Sequence, residues 1–366
     1  MTVPAEAQEK ESRLRTALAE WGYDSAIITR RSNFAWLTCG GDAVSSRVSH
    51  TSPVYLVITP AKKYAVGYVM DLPWTMESAL SGLDYEGIAL PTFGKTPEQM
   101  ALELAGGRAA ADDSFLGVAD IHARIIRLHE PYTPEEMGRY RQLAAQCSEI
   151  QMQLAQWVEP GMTERHVLAR MWQLYLERGI EGHYMFVGSD DRLKRFRHPV
   201  PSDKAIEKVV MLAPAVAKWG LLISTSRTIC FGRPSEELRR RFDAMSTIQA
   251  TLLARTEFGT PLTSLFDLIM EMFGRVGYPE ERTNHFHGGP VGYWAGYAQR
   301  MQDPEEVVKP NMAFLYYLTV AGVHTEELML VDEQGAEFVT VGAGWPTLDI
   351  AVEGRTISVP DILVRA

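Results

Sequence analysis

From Val209 to Thr228 the chain reads VVMLAPAVAKWGLLISTSRT, in which Lys218 and Arg227 are the charged side chains. So little charge over such a length predicts two buried strands, Val209 to Ala215 and Gly220 to Thr225, joined by a turn at Ala217, Lys218 and Trp219 and left through Ser226, Arg227 and Thr228. A hairpin of this kind sits at the centre of a sheet covered on one or both faces.

With 366 residues the chain is long for one core, so two domains are expected, 1–130 and 131–366. In the first, an amphipathic helix from Glu11 to Glu20 is stopped by Gly22, and strands begin at Ser25, Val54, Lys63 and Phe115. This alternation predicts a small α/β domain. Beyond Tyr132 the helices lengthen. Thr133, Pro134 and Glu136 supply an N-cap, a first-turn proline and a capping-box acid for a helix running to Trp157. A second helix follows the VEPGMTERHV turn and reaches Arg178, with Gly179 as its stop, and two more span about Ser235 to Arg255 and Leu262 to Val276.

A net charge of -10 argues against a nucleic-acid partner, and Arg239, Arg240 and Arg241, following Glu236 and Glu237, read as a solvated helix face. No apolar run approaches the ~20 residues of a membrane span. The polar start MTVPAEAQEKES is no signal peptide, so no membrane partner and a cytoplasmic location are expected. Cys39, Cys147 and Cys230 lie far apart and suit reduced thiols.

The hairpin resembles the centre of the pita-bread enzymes, the superfamily of methionine aminopeptidase, prolidase, aminopeptidase P and creatinase. Their pattern there is D-x-G-x-x-x-x-G-Y-x-x-D-x-T-R-T, whose two Asp bridge a pair of divalent metals. Gly220, Arg227 and Thr228 keep their places and Ser226 replaces a Thr, but the Asp positions carry Ala213 and Ser224. The RRSNFAWLTCG segment from Arg30 is similar to the S-x-N-x-x-Y-L-T-G turn of creatinase and prolidase amino-terminal domains. The resemblance covers Ser12 to Val339 and implies an α+β fold: a creatinase/prolidase-type α/β domain followed by a pita-bread domain, a curved antiparallel sheet covered by helices. It also places the remaining ligand positions at Gly289, Tyr317 and Glu326. One carboxylate of five ligands survives. Alanine offers no ligand and a neutral hydroxyl is a poor one for a hard dication, so the resemblance implies the frame without the metal pair and no other cofactor.

Other polar residues of such sites persist. His198, in RHPVPSDK, resembles the histidine of H-x-x-P-T that handles protons in the metal-free creatinase, and His285 stands at the place of a substrate-binding histidine of aminopeptidase P. His287 and His324 flank the lost ligands. Imidazoles beside Glu326, Glu327 and Tyr317 supply acid and base groups near neutral pH. His50, His122, His129, His166 and His183 read as structural or exposed. Gly288, Gly289 and Gly292 allow close backbone approach, and the aromatics Trp219, Tyr293, Trp294, Tyr297, Tyr316 and Tyr317 divide between core and pocket wall.

The resemblance leads to a homodimeric, metal-independent, creatinase-like hydrolase that cleaves a C–N bond in a small polar, amino-acid-derived compound. His198, His285 and Glu326 are its catalytic candidates; His287, His324, Tyr317, Glu327, Ser224, Arg227, Tyr293, Trp294 and Arg47 are its substrate-binding candidates. A lyase would use the same acid and base. A catalytically inactive binding protein and a single-metal enzyme built on His285, His287, His324 and Glu326 are the other readings. Elemental analysis of purified, dialysed protein is expected to find no stoichiometric metal; one or two equivalents of Zn, Mn, Fe or Co would overturn that expectation.

Overall fold

The computed structural model describes residues 3–293, 296–342 and 344–366. The chain divides into two compact units, Met1–Glu136 with Trp219–Leu221, and Met137–Lys218 with Leu222–Ala366.

The first unit is built on a mixed six-stranded sheet in the order Glu86–Leu90, Lys63–Tyr68, Thr51–Ile58, Ser25–Arg30, Ala109–Ala111, Ala119–Asp120. The segment expected to run as a strand from Phe115 begins instead as a 3-10 turn, Ser114–Leu116, and leaves only Ala119–Asp120 to pair. Arg30 to Gly40 is not a simple turn either: Arg31–Leu37 is helical. Its Asn33 is held by Asp112, whose buried carboxylate accepts hydrogen bonds from Asn33 Nδ2 (2.8 Å), Thr29 N (2.7 Å), Thr29 Oγ1 (2.8 Å) and Arg30 N (3.0 Å). Burial pushes this carboxyl upward against the pull of those donors. One side chain thus fixes where the Ser25–Arg30 strand stops and the helix begins.

The expected helices are present, the first of them starting at the end of the first unit and the others in the second. Thr133 N donates to Glu136 Oε2 (2.7 Å) and Glu136 N to Thr133 Oγ1 (3.2 Å), the reciprocal capping box that opens the helix Pro134–Trp157. Thr163 caps Glu164–Leu176, and Ser235 caps Glu236–Arg255, which packs beside Leu262–Arg275. Among the described residues no helix is long and apolar enough to cross a membrane.

The central hairpin is longer than its apolar pattern predicts. Its first strand runs Val209–Lys218, and the turn is Trp219-Gly220, with φ of 56° and 76°. Positive φ at both central residues is what a two-residue hairpin turn requires, and it lets pairing continue through Lys218. The second strand is interrupted, Leu221–Ser224 and then Arg227–Phe231. Val209–Lys218 is flanked by Glu181–Ser189 on one side and by both pieces of the second strand on the other, with Leu363–Arg365 beyond Arg227–Phe231. A separate antiparallel sheet runs Gly288–Pro290, Met312–Val320, Val323–Asp332, Gly335–Phe338, and a hairpin, Thr347–Val352 with Arg355–Pro360, pairs with neither sheet and packs on the helix Glu236–Arg255. These largely antiparallel sheets, with the helices packed on them, are the pita-bread domain expected.

Removing the Asp112 carboxylate takes the acceptor from Thr29 N, Thr29 Oγ1 and Arg30 N and leaves Asn33 Nδ2 with His122 Nδ1 at 3.2 Å. Asp112→Ala is expected to lower unfolding free energy by about 3 kcal/mol or more in urea titration, and an unchanged midpoint would show that the carboxylate is not the unit's anchor.

Candidate functional site

In a strand, residues two apart face the same way. Six strands or strand ends of the second unit each turn such a pair toward one space: Tyr184 and Phe186, Ala213 and Ala215, Leu222 and Ser224, Gly289 and Val291, Leu315 and Tyr317, His324 and Glu326. Pairing sets them opposite one another. Phe186 pairs with Ala213, Gly289 with Leu315, and Tyr317 with Glu326. Together with His198, His285, Phe286 and Pro290 they line a cavity of about 310 Å³, at the lower end of the range for small-molecule sites.

The five positions that the resemblance assigns to metal ligands, Ala213, Ser224, Gly289, Tyr317 and Glu326, all line this cavity. They present a methyl group, a hydroxyl, bare backbone, a phenol and one carboxylate. Among the described residues no group of three or more His, Cys, Asp or Glu could hold a metal ion. This donor set does not fit a pair of hard dications, which need several carboxylates.

Glu326 is the carboxylate of the cavity. Ser224 Oγ donates to its Oε2, and His324 Nε2 lies 3.3 Å from its Oε1. Burial raises Glu326 to about 7, with the Ser224 hydrogen bond pulling the other way. Burial likewise lowers His324 to about 3, helped by the neighbouring His198 and Arg197, so its ring is neutral at pH 7. Neither His324 ring nitrogen has a hydrogen-bond partner, although the residue is 4% exposed. Two unsatisfied nitrogens beside a carboxylate are a place prepared for a polar ligand atom.

At the mouth, His198 Nε2 and His285 Nε2 are 3.0 Å apart. His285 Nδ1 sits against the Phe286 carbonyl, which can only accept, so Nδ1 carries the proton. Burial lowers His285 to about 4, so at pH 7 its Nε2 is a lone pair that accepts from His198 Nε2–H. The Phe186 ring holds His198 in place, stacked at 4.9 Å and 6°. His285 stands edge-on to Tyr317 (5.3 Å) and lies 6.0 Å from His324. Burial pushes the Tyr317 hydroxyl up to about 12.

Several expected binding residues lie elsewhere. Glu327, one position from Glu326, necessarily faces the opposite side of its strand. There it pairs with Arg227, whose Nη2 is 3.2 Å from Glu327 Oε2 and 2.7 Å from the Thr340 carbonyl, and both side chains are buried. Neither lines the cavity. His287 is buried against Phe273 (4.7 Å), with Nε2 on the Arg282 carbonyl (2.9 Å), so the four-ligand set His285, His287, His324 and Glu326 is not assembled. Tyr293 is buried but not in the cavity wall, Arg47 is an exposed residue of the first unit, and Trp294 is outside the described residues. Tyr316 points into the core beside Thr256. Sequence reasoning missed Tyr184, Phe186 and Phe286. The alternation in Tyr184-Met185-Phe186 was available as a signal, but nothing in it says which sheet face meets the cavity.

The sequence profile of metallopeptidase family M24 matches residues 138–333. The chain is 21% identical over 359 residues to the uncharacterized peptidase YqhT of Bacillus subtilis strain 168, covering 90% of this chain and 97% of that protein. It is 22% identical over 234 residues to the uncharacterized peptidase MW1651 of Staphylococcus aureus strain MW2, covering 60% of this chain and 65%, just under two thirds, of that relative's length. Among solved structures it is similar to a Xaa-Pro dipeptidase from Bacillus anthracis, with a TM-score of 0.76, 16% identity, and coverage of 98% of this chain and 100% of that one. The two-unit fold is thus the pita-bread fold of that superfamily.

The raised Glu326 has a consequence for stability. Unfolded, this carboxyl loses its proton near its ordinary value of 4.5; folded, it keeps it to about 7, with Ser224, Tyr317, His198, His285 and His324 as its titratable or polar neighbours. Wild-type stability therefore falls as pH rises between those values and is level above them. Glu326→Gln does not titrate, so its stability relative to wild type should grow by on the order of 2–3 kcal/mol between about pH 5 and about pH 8 in urea titrations. A difference independent of pH would contradict the assignment.

Proposed function

The chain belongs to metallopeptidase family M24, and from that premise we propose that it is a metal-independent, creatinase-like hydrolase of a C–N bond in a small, amino-acid-derived compound. The observation that supports this most is the convergence of His198, His285, His324 and Glu326 on one cavity whose former ligand positions can no longer hold two metals. In the mechanism that follows, a water enters beside His198. The imidazole takes a proton from the water as its oxygen adds to the electrophilic carbon. The C–N bond then breaks, its electron pair leaves on nitrogen, and the same proton passes from His198 to that nitrogen.

His285 is the positioning residue. Its Nδ1–H is engaged by the Phe286 carbonyl, so its Nε2 orients the His198 ring that Phe186 already supports. Glu326 anchors the substrate's nitrogen-bearing end, and the unpartnered nitrogens of His324 hold a second polar group. His198 is exposed at the mouth, where it can exchange its proton with bulk water after each turnover. The reading also includes a homodimer in a cytoplasmic setting, for which light scattering should return twice the mass of the chain.

The test is amine release from N-acyl amino acids, guanidino compounds and Xaa-Pro dipeptides after exhaustive chelation. Turnover of one of the first two classes is expected to survive chelation; turnover confined to Xaa-Pro dipeptides with added Mn or Co would overturn the proposal. His198→Ala should lower kcat by about a hundredfold or more with little change in Tm, and His198→Asn should retain binding. An alanine variant with wild-type turnover would make His198 structural.

A further inference from the structure

His198 and His285 meet at the cavity mouth, yet neither lies in a helix or a strand. A 3.0 Å contact between two irregular segments needs something that holds both of them. The residue immediately before each histidine supplies it. Arg197 Nη2 donates to Glu281 Oε2, and Asn284 Nδ2 donates to the same oxygen (2.9 Å). One carboxylate thus gathers the chain on the amino-terminal side of both imidazoles. Arg197 has a further attachment: its Nη1 donates to Thr319 Oγ1 (3.1 Å), and Thr319 is the cross-strand partner of His324. The third histidine of the cavity is therefore tied to the same junction.

Glu281 is built into its place. It belongs to the 3-10 turn Pro279–Thr283, where its N–H donates to the Tyr278 carbonyl (3.1 Å) and its own carbonyl accepts from Asn284 N (3.2 Å). It is 5% exposed, whereas its neighbour Glu280 is on the surface. A carboxylate so buried is tolerated only where charge-assisted hydrogen bonds satisfy it, and both of these donors come from the segments that carry the histidines. Other contacts fix other variables. The Phe186 ring sets the plane of His198, and His287 anchors the far side of His285 in the core through Phe273 and the Arg282 carbonyl. The separation of the two rings is left to the Glu281 junction.

We infer that Glu281 is a positioning residue, which through Arg197 and Asn284 fixes the spacing of the His198–His285 pair and with it the direction of the hydrogen bond between them. The inference deepens the hydrolase reading and rests on His198 being its acid and base. Spacing matters because a hydrogen bond of this kind works over about 2.6–3.2 Å, so a drift of about 1 Å in either segment ends it. The tautomer of His285 depends on the same spacing. Its Nδ1–H contact is to the carbonyl of the next residue, Phe286, and its bare Nε2 is kept as an acceptor by the His198 donor. Once the pair separates, nothing in that arrangement keeps Nε2 without a proton.

The experiment compares the full wild-type chain with the double variant Arg197→Met/Glu281→Leu, which removes both charges, keeps apolar bulk and leaves no carboxylate buried alone. Nitrogen-15 NMR of the imidazoles at pH 7 reads the tautomers, with His122 of the first unit as the reference. Wild-type His285 is expected in the single Nδ1–H form. In the double variant it should give exchange-averaged ring shifts while Tm stays close to wild type, and kcat on a C–N substrate should fall about tenfold or more with KM within about twofold. Glu281→Gln, whose amide oxygen can still accept from both donors, should keep the Nδ1–H form. Asn284→Ala, at an exposed position, should show the same change at His285 and decides the question if the double variant does not fold. A wild-type His285 in mixed tautomers, or a folded double variant with the Nδ1–H form unchanged, would overturn the inference. Loss of that form with undiminished turnover upholds the junction and sinks the His198–His285 mechanism. If wild type turns over no C–N compound, the hydrolase falls and the tautomer result alone decides the role of Glu281.

Discussion

The buried ion pair of Arg227 and Glu327 joins the two sheets of the second unit, and the cavity depends on it. Arg227 begins one strand and Glu327 sits in the middle of another, and the guanidinium also donates to the Thr340 and Ser226 carbonyls and lies over the Trp345 ring. Thr340 Oγ1 donates back to Glu327, so the carboxylate is satisfied on both oxygens. A buried pair is tolerated only when its hydrogen bonds are this complete. Backbone links run beside it: Ser226 N to the Glu326 carbonyl (3.1 Å) and Ser226 Oγ to the His324 carbonyl (2.9 Å). The break in the second hairpin strand at Thr225 and Ser226 is where one sheet fastens to the other.

From that fastening the chemistry of the site follows by alternation. With Glu327 locked to Arg227 on one face, Glu326 must project from the opposite face, between Ser224 and His324, and Tyr317 must face it across the ladder. Adjacent carboxylates in one strand thereby acquire unlike roles. Burial raises both, but Glu327 has an arginine to hold it and Glu326 has a serine hydroxyl. Glu326 is thereby a buried carboxyl that titrates near neutrality. Around it the cavity presents the methyl of Ala213, the hydroxyl of Ser224, the bare backbone of Gly289, the phenol of Tyr317 and the imidazoles of His198, His285 and His324.

The geometry of those imidazoles separates them into two kinds. His198 and His285 form a directed pair at the mouth, oriented by a stacked ring and a backbone carbonyl, and exposed enough to trade protons with water. His324 lies deeper and is neutral, its Nε2 3.3 Å from Glu326 Oε1 and neither ring nitrogen hydrogen-bonded. His287, from the same short sequence motif as His285, belongs to the core with Phe273.

Much of this architecture is legible in the chain itself, because it depends on local chemistry. The capping box at Thr133 and Glu136, the caps at Thr163 and Ser235, and the buried hairpin around Ala213 and Ser224 are set by hydrogen-bonding groups and apolar runs within a few residues of one another. That Ala213 and Gly289 bring no side-chain donor is legible too, since alanine and glycine carry none wherever they are placed. What tertiary structure decided is which side of each strand faces the cavity. Glu326 and Glu327 are equivalent in sequence, as are His285 and His287, and the register of Tyr317 on Glu326 and the long-range pairing of Arg227 with Glu327 tell them apart. The aromatic wall of Tyr184, Phe186 and Phe286 came from the same source: an alternating strand displays two faces, and only the sheet opposite determines which becomes a binding surface.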